Sequence, residues 1–190
     1  MMPTIRIRQL VWHPHITPVE IDEATPEQLE AMKVTPSAKK VSPYVRTLAH
    51  DPESYVARTV LFNAIMYAEG GLPRPERELG ALGASVVNGC KYCAMIHGRQ
   101  HAKLTGSDDV VTALWYGRVD LLSVRDRAIW EFAVALSRTP SQATADHVAA
   151  LRETGMGDAE IVDLIHAVSI FGWANRLMHI LGHAVLPEKA

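Results

Sequence analysis

The chain has 190 residues and a mass of 20.9 kDa, a size that predicts one compact domain. Nineteen Lys and Arg residues against 21 Asp and Glu residues give a formal net charge of −2, which argues against a general nucleic-acid binder. Hydrophobic residues make up 48% and charged residues 21%, which excludes a disordered chain. Two cysteines three positions apart, Cys90 and Cys93, cannot staple a fold of this length. The two cysteines therefore have a role in catalysis, bind a ligand or have no function as a pair.

The first residues carry no apolar stretch followed by a small-residue cleavage site, so no targeting segment is predicted. The most apolar stretch, residues 161–186, is interrupted by ionisable and polar side chains, and no membrane span is predicted there. These features predict a soluble protein of the reducing cytoplasm. In that compartment a close thiol pair is more often catalytic or metal-binding than structural.

Along the chain, an irregular N-terminal extension over residues 1–24 precedes a single helical domain over residues 25–190. A linker framed by Pro36 and Pro43 separates the first helix from the rest. Nothing from residue 25 to residue 186 alternates with a period of two, so the fold class is predicted to be all-α. Cap and breaker signals place the helices over residues 25–33, 51–70, 73–87, 90–104, 108–117, 123–137, 144–153 and 157–185.

The segment around the cysteines carries the strongest functional signal. At about 100° per helical residue, Cys90, Cys93 and His97 fall within an arc of roughly 60°, so both sulfurs and the imidazole can share one pocket. Asn88 is predicted as the N-cap, which places both cysteines in the opening turns, where the helix dipole favours a thiolate. His97 is then positioned to take or give a proton. Periodicity alone does not place Glu78, on the preceding helix.

Three interpretations of the cysteine pair remain open at this point. Buried, inert cysteines with a satisfied histidine are the least favoured, given the spacing and the shared face. A metal site could use Cys90, Cys93, His97 and His101, but four ligands along one straight helix spread over about 16 Å at 1.5 Å per residue. Redox thiol chemistry is therefore favoured over a three-ligand metal site.

Glu78, Cys90, Cys93 and His97 follow the spacing Glu-x11-Cys-x2-Cys-x3-His. This pattern resembles the signature of the alkylhydroperoxidase D-like proteins of the carboxymuconolactone decarboxylase superfamily. The flanking residues resemble its peroxidase-related branch, and the core of the match covers residues 44–117. The resemblance implies an all-helical bundle that forms homo-oligomers, trimers or hexamers, and needs neither a bound cofactor nor a metal.

The resemblance also implies a function, thiol-dependent reduction of hydrogen peroxide or organic hydroperoxides. Cys93 would be the peroxidatic thiol that becomes a sulfenic acid, and Cys90 the resolving thiol that forms a Cys90–Cys93 disulfide. Glu78 and His97 would form a proton relay. A thioredoxin-like or lipoyl-type dithiol would reduce the disulfide. This chain has Tyr92 where the founding peroxidase has a histidine between its cysteines, so the relay is expected to be weaker or the substrate different.

Two other classes of function compete with the peroxidase. One is a thiol-based redox-sensing or binding oligomer with little turnover, and the other is a metal-binding protein. The decarboxylase branch works without a thiol pair and is not favoured. On the last helix, the spacing of His179 and His183 could suit a metal, but packed or interface histidines are favoured. Asp163 and Arg176 are expected to need partners, and the helix, apolar nearly all round, is expected at a subunit interface.

Overall fold

The computed structural model describes residues 8–34 and 40–187, so the first seven residues and Pro36 of the predicted linker lie outside the described residues. Within them the chain forms α-helices and one small antiparallel ribbon, which confirms the all-α class. The helices are α1 Pro26–Ala31, α2 Pro43–Leu48, α3 Pro52–Tyr67, α4 Arg74–Val87, α5 Lys91–Thr105, α6 Asp109–Trp115, α7 Val124–Ser137, α8 Ala145–Glu153 and α9 Asp158–Leu181. The ribbon pairs β1 Val11–Pro14 with β2 Gly182–Val185.

Side-chain caps account for several helix starts. Thr25 and Gln28 form a reciprocal capping box at the start of α1, where Pro26 occupies the first helical position. The Asp51 carboxylate accepts a hydrogen bond from the Ser54 N–H at 3.1 Å, and the Ser123 hydroxyl accepts one from the Asp126 N–H at 3.0 Å. These local signals, readable from sequence, explain why α1, α3 and α7 begin where they were predicted.

Helix α4 lies at the centre of the bundle and packs against α5, α7 and α9. Two glycines allow this close packing, because a Cβ atom at Gly80 would lie 2.7 Å from Leu164 and one at Gly83 would lie 2.8 Å from Ala133. Nine consecutive residues of α4, from Arg77 to Ser85, are buried. Polar groups on this helix are therefore enclosed on all sides and must find partners within the protein.

The buried Arg77 is paired with the partly exposed Asp163. Asp163 on α9 accepts hydrogen bonds from the Leu72 N–H at 2.9 Å and from the Arg77 guanidinium at 3.4 Å, as its predicted need for a partner requires. Arg77 also donates to the carbonyl oxygens of Ile65 and Gly70, and so ties the end of α3 to α4. Arg176, by contrast, is exposed, and no carboxylate pairs with it in the described part of the chain.

Two predicted boundaries were wrong. Pro43 was assigned to a linker, whereas Ser42 caps a short helix, α2, by accepting a hydrogen bond from the Val45 N–H at 3.3 Å. The last helix was predicted to reach Val185 but ends at Leu181, because the next four residues pair with β1. Among residues 8–34 and 40–187, no helix is both long enough and apolar enough to cross a membrane.

Gly182 is the point where α9 gives way to the ribbon, and it packs directly under Trp12. A Cβ atom there would lie 2.5 Å from the His13 carbonyl oxygen and closer still to the Trp12 ring. We therefore expect Gly182→Ala to lower the free energy of unfolding in urea by about 1–3 kcal/mol, the usual cost of overpacking. Gly172→Ala is the control, since its Cβ would meet only Arg176 at 3.7 Å. Equal destabilisation of both variants would contradict the prediction.

Candidate active site

The turn between α4 and α5 places the two cysteines. Asn88 was predicted as the N-cap of the cysteine helix, and this is wrong: its N–H still donates to the Ala84 carbonyl at 2.9 Å, so it ends α4. Gly89 makes the turn with a positive φ of 72°, and Cys90 is the N-cap of α5. Cys93 therefore lies in the first turn of α5. Both cysteines lie at a helix start, as predicted. Helix α5 begins two residues later than an N-cap at Asn88 would place it.

The two sulfurs lie together inside the protein as free thiols. Their Sγ atoms are 2.8 Å apart, and the residues are only 4% and 7% exposed. The hydrogen bond between the two sulfurs, opposed by burial, lowers the pKa of Cys90 to about 7, and the charge of His179 acts in the same direction as that bond. The same bond and burial raise the pKa of Cys93. Of the two thiols, Cys90 is therefore the one that loses its proton more readily.

Glu78 and His97, which periodicity could not bring together, form a buried pair across the α4–α5 contact. Glu78 Oε2 accepts a hydrogen bond from His97 Nδ1 at 2.6 Å, and Glu78 Oε1 accepts one from Arg74 Nε at 2.7 Å. Burial favours a raised pKa for Glu78, but the hydrogen bonds and charges of His97 and Arg74 outweigh it and lower that pKa. Glu78 is thus a carboxylate that fixes the His97 ring and leaves Nε2 for proton exchange.

Aromatic rings hold this relay in place from two sides. The Phe171 ring of α9 packs edge-on against the His97 ring, with centroids 4.1 Å apart. The Arg74 guanidinium lies 3.8 Å above the centroid of the Tyr67 ring. Both ends of the Arg74–Glu78–His97 chain are therefore restrained, as a proton-transfer group requires.

The N-terminal extension, predicted to be irregular, supplies a wall of the site. We call the group around the sulfurs the thiol cluster. In it, the Trp12 ring from β1 is buried, and its indole N–H donates to the Met178 carbonyl at 3.5 Å. The Tyr44 ring from α2 meets Trp12 edge to face at 5.3 Å. The members of the cluster are Trp12, Cys90, Cys93 and Met178, with Tyr44, Tyr92 and Leu181 packed against them.

A polar chain from α9 supports the cysteine turn. Asn175 is wholly buried; its Oδ1 accepts from Asn88 Nδ2 at 3.0 Å, and its own Nδ2 donates to the Ser85 hydroxyl at 3.4 Å. His179 Nε2 donates to the Asn88 carbonyl at 2.8 Å. Asn175, an asparagine within an otherwise apolar helix, was assigned no role from the sequence. That unusual composition was the signal for a polar partner.

Two of the histidines considered as metal ligands are held by other groups. His101 Nδ1 bonds the Pro75 carbonyl at 2.9 Å, and His97 is held by Glu78. His183 lies in β2, off the helix of His179, and bonds His15 ring to ring at 2.8 Å. Within the ranges that the structure covers, no three or more His, Cys, Asp or Glu side chains are grouped so that they could hold a metal ion. His97 and His101 thus have hydrogen-bond partners within the protein.

The fold and the matched segment define the class of protein. The peroxidase-related protein from Silicibacter sp. TM1040 superposes with a TM-score of 0.71 and 26% identity, covering 87% of this chain and 89% of that one. The alkylhydroperoxidase AhpD core protein from Ralstonia eutropha JMP134 gives the same score and identity, covering 87% and 88%. Both are AhpD-like all-α folds. Residues 52–110 match the carboxymuconolactone decarboxylase family. Over this segment the chain is similar to the carboxymuconolactone decarboxylase family, and its fold is similar to those of the two AhpD-like proteins.

One curated relative is a mammalian protein. Sestrin-3 from Mus musculus is 26% identical over 122 residues, which are 64% of this chain. The chain spans only 24% of the length of Sestrin-3. The similarity therefore concerns one part of that longer protein.

Proposed function

We propose that this protein is a cytoplasmic thiol-dependent peroxidase that reduces hydrogen peroxide or organic hydroperoxides. The observation that carries the proposal is the pair of reduced sulfurs 2.8 Å apart at the start of α5, next to a buried Glu78–His97 relay. Similarity to the carboxymuconolactone decarboxylase family and to peroxidase-related proteins of the same fold supports it. Two thiols at this separation can close to a disulfide with little backbone movement.

The reaction is written in three balanced steps. The Cys93 sulfur attacks one peroxide oxygen; an S–O bond forms as the O–O bond breaks, and the departing alkoxide or hydroxide takes a proton to leave as alcohol or water. The Cys90 thiolate attacks the resulting sulfenic sulfur, an S–S bond forms, and hydroxide leaves and is protonated to water. An external dithiol, thioredoxin-like or lipoyl-type, then returns two electrons by exchange.

The protons of this scheme have defined sources. Cys90 loses its proton more readily than Cys93, so attack by Cys93 requires their shared proton to pass from Cys93 to Cys90. The protonated His97 ring supplies from Nε2 the proton that the leaving oxygen needs, because Nδ1 is held by Glu78. The neutral ring then takes the proton from Cys90, so that Cys90 attacks the sulfenic sulfur as a thiolate, and returns it to the departing hydroxide. In the return step the dithiol attacks Cys93 and expels Cys90, since the thiol of lower pKa is the better leaving group.

The proposal includes assembly as a homo-oligomer, trimer or hexamer. Helix α9 packs its inner face on α4, yet its outer face exposes Val162, Trp173 and Ile180, the last 71% exposed. Apolar residues in such a row favour contact with another subunit.

The test uses the reduced wild-type protein with hydrogen peroxide and with cumene hydroperoxide. We expect two thiols to disappear for each peroxide consumed, a Cys90–Cys93 disulfide by mass spectrometry, and continuous consumption when dihydrolipoamide or dithiothreitol is added. A disulfide that forms once without continued consumption would overturn the enzyme and favour the redox-sensing or binding oligomer. Intact peroxide and intact thiols would overturn both.

A further inference from the structure

The two sequence segments that surround the thiol pair contain no acidic residue. Residues 79–107, which include all of α5, and residues 164–187, which include most of α9 and all of β2, have neither Asp nor Glu. None of the 21 acidic residues of the chain therefore lies there, whereas four of its 19 Lys and Arg residues do. These segments are thus positively charged within a chain whose net charge is −2.

Three of these four cations lie on α5, and all three are exposed: Lys91, Arg99 and Lys103. None of them pairs with a carboxylate among the residues that the structure describes. Lys91 is the first residue of α5, where the helix dipole favours an anion, and Arg99 and Lys103 are like charges one turn apart. Cations at positions that do not stabilise their own helix are suited to an external anionic partner.

The cationic side of α5 reaches the thiol pair through Tyr92. At about 100° per residue, four side chains of this helix share an arc of roughly 60°, which we call the α5 face: Tyr92, Ile96, Arg99 and Lys103. Tyr92 is half-buried and packs against the thiol cluster, whereas Ile96 is 42% exposed. Arg99 is about 9 Å from Cys93 along the helix axis, at 1.5 Å per residue. The α5 face therefore combines two cations with an apolar side chain and ends at the thiols.

We propose that the α5 face is the docking surface for the external reductant, and that this reductant is an acidic protein whose dithiol is flanked by Asp or Glu side chains. The proposal rests on the proposed function and specifies its partner. Arg99 and Lys103 attract the acidic flanks, and Ile96 supplies an apolar contact between them. A nucleic acid or an anionic membrane would also be attracted by the cations, but neither supplies the dithiol that the oxidised pair needs.

The docked partner reduces the Cys90–Cys93 disulfide in two exchange steps. One partner thiolate attacks Cys93, a mixed disulfide forms, and Cys90 leaves as a thiolate. The second partner thiolate then closes the partner's own disulfide, and Cys93 leaves. Two electrons and two protons pass from the partner to this protein, so both cysteines end as thiols. Because the two cysteines are almost wholly buried, exchange needs a partner that is held in place while its dithiol reacts.

The experiment uses two synthetic dithiol peptides with the same Cys-Gly-Pro-Cys centre, one flanked by glutamates and the other by lysines. The protein is oxidised with diamide, so no peroxide turnover is needed, and its reduction by each peptide is followed by mass spectrometry. Each rate is divided by that peptide's rate with bis(2-hydroxyethyl) disulfide, which corrects for the reactivity of its thiols. We expect the glutamate peptide to react at least about ten-fold faster at low salt, and the ratio to fall as salt is raised.

The variant Arg99→Gln/Lys103→Gln removes both cations from the α5 face and should lower the ratio of the two rates by about five-fold or more. The matched control, Lys33→Gln/Arg138→Gln, removes two exposed cations that lie off α5. It changes the net charge equally and should keep the wild-type ratio.

The outcomes separate the docking surface from the peroxidase. A preference for the glutamate peptide that only the α5 variant loses, in a protein that consumes no peroxide, would refute the peroxidase and uphold the docking surface. Failure of diamide to form the Cys90–Cys93 disulfide would refute both. Equal rates for the two peptides would overturn the inference, in favour of a membrane or a second copy of this chain if only the α5 variant lost binding to anionic vesicles or its assembly in sedimentation.

Discussion

Cys93→Ser is expected to show no peroxide turnover, and Cys90→Ser is expected to react once and stop. A serine hydroxyl is too weak a nucleophile to attack the peroxide, so without Cys93 the first step fails. Without Cys90 the sulfenic acid forms but has no resolving thiol within 2.8 Å. The measurement is peroxide consumption with dihydrolipoamide, together with dimedone trapping and mass spectrometry of the labelled residue.

The double variant Cys90→Ser/Cys93→Ser provides the baseline, because the chain has only these two cysteines. We expect one dimedone adduct on Cys93 in Cys90→Ser and none in Cys93→Ser. The lower pKa of Cys90 makes this a demanding test, since a thiolate is the better nucleophile. An adduct on Cys90 in Cys93→Ser, formed as fast as the wild type loses its thiols, would reverse the two roles.

The pH dependence of the reaction with peroxide follows from the Cys90–Cys93 pair. The pKa of Cys90 is lowered to about 7, so the singly charged pair predominates above that pH and is lost below it. We therefore expect the rate of thiol loss with peroxide to rise with pH around a midpoint near 7. A midpoint at the ordinary value of about 8.5 would mean that the Cys93 thiol does not stabilise the charge.

The contacts within α5 could be predicted from sequence, and those between helices could not. Cys93 and His97 lie about one turn apart on α5, as the helical repeat dictates, and Cys90 caps the same helix. Glu78 meets His97 only because α4 packs against α5 in the bundle, and Trp12 reaches the sulfurs only because β1 pairs with β2. Contacts between residues so far apart in the sequence leave no local sequence pattern from which they could be predicted.

The N-cap error has a similar physical origin. Asn88 is a frequent N-cap residue, and its side chain could serve that role locally. The wholly buried Asn175 takes the Asn88 amide instead, and His179 takes its carbonyl, so the residue ends α4. Tertiary hydrogen bonds thus overrode a correct local preference. The consequence for chemistry is that a thiol, rather than an amide, stands at the N-terminus of α5.

Glu78→Gln is expected to lower kcat for peroxide reduction by about 10²–10⁴-fold while both thiols remain present. The amide oxygen must face Arg74, which only donates, so the amide NH2 faces His97. His97 Nδ1 then has to accept, its proton moves to Nε2, and the imidazolium loses its carboxylate partner. The relay would hold the wrong tautomer, the reason that a carboxylate-to-amide change disables other histidine relays.

The matched control is Glu76→Gln on the same helix. Glu76 bonds Arg125 at 2.8 Å, outside the thiol cluster, so this variant loses an ion pair without touching the relay. We expect its turnover to stay within about two-fold of wild type, since partly exposed pairs contribute little. If both variants lost activity equally, general destabilisation rather than proton transfer would be the cause.

Stability measurements across pH provide the decisive comparison for Glu78. Because its pKa is lowered in the folded protein, its contribution to stability is present above the unfolded value of about 4.3 and is lost as pH falls through the folded pKa. The free energy of unfolding in urea should therefore differ between wild type and Glu78→Gln at pH 6, and the difference should shrink below about pH 4. A difference that stays constant from pH 6 to pH 3 would show that Glu78 is not held as the carboxylate that orients His97.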